Sequence, residues 1–94
     1  MDEQALDLLE AGYRAAEYQE REGRQLLLTM LDGEVARSAG MDAETPEHYA
    51  VVSALVDSGA VVVPDIRDQD LVGATFYEIT PEGEEMLLEA GRLA

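Results

Sequence analysis

The chain of 94 residues has no cysteine, no lysine and only one histidine, and its longest unbroken apolar runs are no longer than "AVVV" at 60–63. Each shortage excludes some chemistry. Without cysteine there is no disulfide and no thiolate metal site, a composition that suits a reducing compartment. The apolar runs fall far short of the ~20 residues a membrane-spanning helix needs. No basic segment leads into an apolar stretch at the start, so no secretory leader is read there. The expectation is a soluble, cytoplasmic protein with no membrane partner. The lone His48 has no Cys or second His to complete a transition-metal site, and it reads as an exposed surface histidine near the start of a helix. Ser38, Ser53 and Ser58 stand in no recognisable triad spacing with it. The glycines occur singly and form no phosphate cradle. In "DIRDQDLVG" (65–73), Asp68, Asp70 and Gly73 match a calcium-loop order, but Val72 and Ile79 stand where oxygen ligands belong. No metal, no cofactor and no enzymatic activity is expected.

What the chain has in abundance is acid. Thirteen glutamates and eight aspartates against six arginines give a net charge of −15. A field of that sign repels phosphate backbones and attracts cations and basic partners. A GC-rich genome or a salt-adapted cytoplasm produces a similar balance of Arg and acid.

Patterning then sets the order of elements. Leu6, Leu9, Tyr13, Ala16, Gly23, Leu27 and Met30 follow a three-four spacing, interrupted at Glu20, which predicts a helix over residues 2–31. Gly23 within "QEREGR" marks either a close-packed kink in one long helix or a break between two. Asp32 is placed to cap a short helix over 33–39, with Gly40 ending it in the left-handed conformation. Thr45, Pro46 and Glu47 form the start of the next helix: an N-cap, a fixed φ at the first position and an acid at the positive end of the dipole. Val52, Leu55 and Val56 form its buried stripe, with Tyr49 at the near end, and Gly59 ends it. "AVVV" (60–63) reads as a strand closed by Pro64. "PDIRDQDLVG" reads as an extended hairpin tip, and "ATFYEIT" (74–80) as the returning strand, with Phe76 and Glu78 alternating against Tyr77 and Ile79. Thr80, Pro81 and Glu82 repeat the same helix start, and Met86, Leu87 and Ala90 are expected to face inward.

The predicted fold is mainly α with a small β-hairpin wing, in the order α-α-α-β-β-α behind a long N-terminal helix, as one domain over 1–94. "ALVDSGAVV" (54–62) and "FYEITPEGEEML" (76–87) carry a resemblance, covering residues 26 to the end, to the winged helix-turn-helix domains of small bacterial and archaeal transcription regulators. The resemblance implies a recognition helix in the third position, with Glu47, His48, Ala50, Val51 and Ser53 on its reading face. It also implies a wing tip at Asp65, Arg67, Asp68, Gln69 and Asp70.

That footprint is a poor one for DNA. Residues Asp42 to Val72 hold seven acids and one base, a local −6. Non-specific DNA affinity comes almost wholly from Lys and Arg releasing counterions at phosphates. A protein partner for an acidic face is therefore the preferred reading. A regulator that contacts DNA as a dimer, gathering Arg14, Arg21, Arg24 and Arg37 twice over, is the alternative; a mimic of DNA is a third. In the first helix, Leu6, Leu9, Tyr13 and Arg14, with Tyr18 nearby, form a candidate dimer or partner surface, since Tyr and Arg are favoured at interface hot spots. The same helix also has the spacing for solvent-facing ion pairs Glu10–Arg14 and Glu17–Arg21.

Overall fold

A computed structural model of the chain describes residues 2–18, 27–63 and 76–93. In chain order they form α1 (Glu3–Tyr18), β1 (Leu27–Leu28), α2 (Gly33–Ser38), α3 (Pro46–Asp57), β2 (Val61–Val62), β3 (Tyr77–Ile79) and α4 (Pro81–Glu89). The architecture is mainly helical, with four helices and a small antiparallel sheet among the described residues.

Side chains close the helix ends. The Asp32 carboxylate accepts the Glu34 and Val35 N–H groups at 2.8 and 3.2 Å, at the start of α2. Thr45 Oγ1 accepts the His48 N–H at 3.2 Å, and Thr80 Oγ1 the Gly83 N–H at 3.0 Å. Pro46 and Pro81 follow their threonines at positions whose N–H would have no helical partner. Gly40 and Gly59 sit at φ 76° and 82°. There they let the Met41 N–H return to the Ala36 carbonyl and the Ala60 N–H to that of Leu55, which satisfies the last turns of α2 and α3.

β3 lies in the middle of the sheet and pairs antiparallel with both neighbours, Leu28 opposite Tyr77 on one side and Val61 opposite Ile79 on the other. Tyr77 and Ile79 share the buried face while Glu78 between them is half-buried, as a period of two requires. Beneath the sheet, α1 touches α2, α3, α4 and β1. Its inward stripe is Ala5, Leu8, Leu9, Gly12 and Ala16, joined in the core by Leu28, Met30, Val52, Leu55 and Leu87. Gly12 makes room for the side chain of Met30, in the turn after β1, since a Cβ there would lie 2.7 Å from its sulfur.

Several expectations are corrected. Residues 2–31 are not one helix: Leu27 and Leu28 are a strand and Met30 is in a turn. A run of three leucines satisfies helix and strand periods alike, and pairing with β3 decides between them. The hairpin is thereby a three-stranded sheet. The stripe of α1 is also rotated from the expected one. Leu9 and Ala16 are buried, but Leu8 is the large inward residue, and Leu6 and Tyr13 are only partly buried beside the core. In α4, Leu87 is buried and Met86 half-buried, whereas Ala90 is exposed. Gly23, the Glu17–Arg21 pair, the side chain of Tyr18, and Arg24 lie outside the described residues. So does the expected wing tip with Asp65, Arg67, Asp68, Gln69 and Asp70. No helix among the described residues is long and apolar enough to cross a membrane.

Candidate interaction face on the third helix

The sequence directs attention to α3, and its lead-in is unusual. Glu44 has φ 60°, the sole non-glycine residue with positive φ among those described. Its amide donates to Nδ1 of His48 at 3.2 Å. The other ring nitrogen, Nε2, is 2.9 Å from the carbonyl oxygen of Met30, in the turn between β1 and α2. A carbonyl only accepts, so Nε2 bears the proton and Nδ1 is the acceptor. His48 is 0% exposed. The expectation of a surface histidine on the reading face is thus wrong, and both ring nitrogens are committed to backbone groups. Val51, also expected outward, is buried. The inward arc is His48, Val51, Val52 and Leu55, an i, i+3, i+4, i+7 set. The sequence places Val52 and Leu55 on that arc, and the fold adds His48 and Val51 while leaving Val56 only partly buried.

The outward arc consists of Glu47, Tyr49, Ala50, Ser53, Ala54 and Asp57. Tyr49, expected inward, is 49% exposed, its ring stacked beside His48 with centroids 6.1 Å apart. Glu47 accepts a hydrogen bond from Gln4 Nε2 of α1 at 3.2 Å. The face has small side chains at Ala50, Ser53 and Ala54, an aromatic ring at Tyr49 and acids at Glu47 and Asp57. It holds no base. Across residues 32–63 there are six acids (Asp32, Glu34, Asp42, Glu44, Glu47, Asp57) and one base (Arg37), a net −5.

Of the arginines that an oligomer would have to gather against phosphate, Arg14 is engaged within the chain, and Arg21 and Arg24 lie outside the described residues. Arg14 bonds Glu10 through Nε at 2.9 Å and donates through Nη2 to the Arg92 carbonyl at 2.8 Å. Arg92 in turn reaches Asp7 at 2.5 Å and Glu10 at 3.1 Å. The hydrogen bond from Arg14 holds the Glu10 carboxyl below its usual range, Arg92 adds to this, and partial burial opposes it. Asp7 foremost, then Glu10, raises Arg92 against its own desolvation. Among the described residues, Arg37 is the arginine outside an ion pair. The sequence suggested Glu10–Arg14. It held no local sign of Arg92, which meets Asp7 across 85 positions.

Beside this clasp, α1 and α2 enclose an open cleft of about 660 Å³, lined among others by Asp7, Glu10, Arg14, Asp32 and Glu34. Its acids are largely occupied, Asp7 and Glu10 by Arg92 and Asp32 by the start of α2. Among the described residues no group of three or more His, Cys, Asp or Glu side chains is placed to hold a metal ion. No protein-family model, curated protein or solved structure matches the chain.

Proposed function

We propose that this chain is a winged helix-turn-helix module without catalytic activity, related in type to transcription regulators, which works by binding protein. Its contact surface is the outward face of α3, and its counterpart is a basic surface. The fold reading is supported by the run of α2, a short turn carrying Gly40, α3, the antiparallel return through β2 and β3, and a closing α4. The single observation behind the functional reading is the absence of any base from that face, within a segment of net −5. Phosphate contacts dominate DNA affinity, and two of the chain's arginines are tied into the α1–α4 clasp. Self-association through α1 is not part of the proposal, because Leu9 is spent on the chain's own core.

The test pairs a nucleic acid with a protein probe. Fluorescence anisotropy with random-sequence duplex at about 50 mM salt is expected to show no binding. A steeply salt-dependent isotherm would overturn the protein-binding reading in favour of a DNA-contacting regulator. Capture of basic proteins on the immobilised chain is expected to fall when Glu47 and Asp57 are both changed to arginine. Unchanged capture would remove α3 as the contact.

A further inference from the structure

His48 is the only histidine in the chain and is fully buried beneath the face just described. We propose that its ring is an acid-sensitive latch. While neutral it ties the first turn of α3, and the turn before it, to the β1–α2 turn; its protonation releases that end of α3.

The hydrogen bonds carry the inference. Nε2 donates to Met30, so a second proton can only go to Nδ1, the atom that accepts the Glu44 N–H. Two N–H groups would then point at each other across 3.2 Å. The charged ring keeps its bond to Met30 and loses its bond to Glu44. Glu44 is the residue least suited to stay where it is, because φ 60° is unfavourable for a side chain with a Cβ. Once the ring lets go, the turn is held by the Thr45 hydroxyl, bonded to the Asp42 carbonyl and the His48 N–H, and by the bond from the Tyr49 N–H to the Thr45 carbonyl.

The charged groups on the surrounding elements are mostly carboxylates. They are Asp42, Glu44, Glu47 and Asp57 on the turn and on α3, Glu3, Asp7, Glu10 and Arg14 on α1, and Asp32, Glu34 and Arg37 at α2; of these, Asp7 and Glu10 are already paired with Arg92 and Arg14. Release would displace Glu47, Tyr49 and Ala50, the N-terminal half of the outward face. Any effect on binding rests on α3 being the contact surface. The latch does not, and it can be read without a partner.

The experiment is an NMR titration of the full chain from about pH 8 to about pH 5, a range that spans the unperturbed imidazole value and lies above most carboxylate titration. The His48 ring nitrogens are expected to pass from the Nε2–H tautomer to imidazolium, with the Glu44 amide shifting along the same curve. Exchange of that amide, corrected for its intrinsic pH dependence, should quicken roughly five- to tenfold, the loss of one ordinary hydrogen bond. The Met86 and Leu87 amides of α4 should not move. His48→Gln keeps a donor and an acceptor without titrating, so its Glu44 amide should be insensitive over the range. Should that variant not fold, coincidence of the two wild-type curves still decides. The latch is overturned if the ring titrates while the Glu44 amide stays still, or if the ring stays neutral throughout. It is equally overturned if α4 loses protection together with Glu44, or if the Gln variant shows the same pH response.

Discussion

Gly83 leaves no room for a methyl group. A Cβ there would lie 3.0 Å from the carbonyl carbon of Ala60 and closer still to its oxygen, and a backbone oxygen cannot swing aside as a side chain can. Gly83→Ala is therefore expected to lower stability by about 1–3 kcal/mol, the usual range for overpacking a tight contact. Gly33, at the start of α2, is the control. A Cβ there would make ordinary contacts at 3.5 Å and beyond, so Gly33→Ala should be neutral or stabilise by up to ~1 kcal/mol. Urea midpoints of the two variants check the contrast. The sequence shows both glycines near helix starts and does not distinguish them. The difference lies in what each one faces, Ala60 having been brought against Gly83 from more than twenty positions away.

Thr80 shows how one side chain joins elements. Its Oγ1 caps α4 through Gly83 and also donates towards the carbonyl oxygens of Gly59 and Ala60, at 2.6 and 3.0 Å. The Thr80 N–H adds a bond to Ala60. Thr80→Val keeps the shape and removes the hydroxyl. It should cost about 1–2 kcal/mol, the upper range for losing a helix cap, and should loosen α4 and β2 together. Hydrogen exchange at Met86 and Val61 is the measurement; loosening of α4 alone would mean that the bonds to Gly59 and Ala60 contribute little. At this scale the sequence was informative. The caps at Asp32, Thr45 and Thr80 and the glycine stops at 40 and 59 are local chemistry, complete within a turn of the chain, and the structure has them where the residues call for them. β1 was missed because a two-residue strand has no signature of its own. Leu27 and Leu28 become a strand only when β3 lies alongside.

Over the whole molecule, charge governs how acid acts. The Arg14–Glu10–Arg92–Asp7 clasp ties the end of the chain back onto α1. Glu10 titrates below the usual carboxylate range in the folded state. Its stabilising contribution is therefore fully present above about pH 4.3, the unfolded value, and is lost as pH falls through the lower folded value. Glu10→Gln should lower Tm by a few degrees at neutral pH, as expected for a partly exposed ion-pair network. The gap between variant and wild type should close in acid as the wild-type carboxyl gains its proton. Thermal melts at neutral pH and near about pH 3 test this; a gap that persists in acid would mean that Glu10 acts through packing and not through charge.

The amino-acid sequence by itself determined the caps that start α2, α3 and α4, the glycine stops after α2 and α3, the order of elements after Asp32, the alternation of β3 and the sign of the molecule's field. Each of these follows from neighbouring residues or from simple addition of charge. Only the tertiary structure decided that His48 lies inside, that Leu9 belongs to the chain's own core, that β1 exists, and that Arg92 faces Asp7 and Glu10 of α1. Those outcomes depend on partners distant along the chain: 18 positions for His48 and Met30, and 85 for Arg92 and Asp7. Periodicity and capping rules reach one or two turns, so they can state that a side chain needs a partner but not which one it meets.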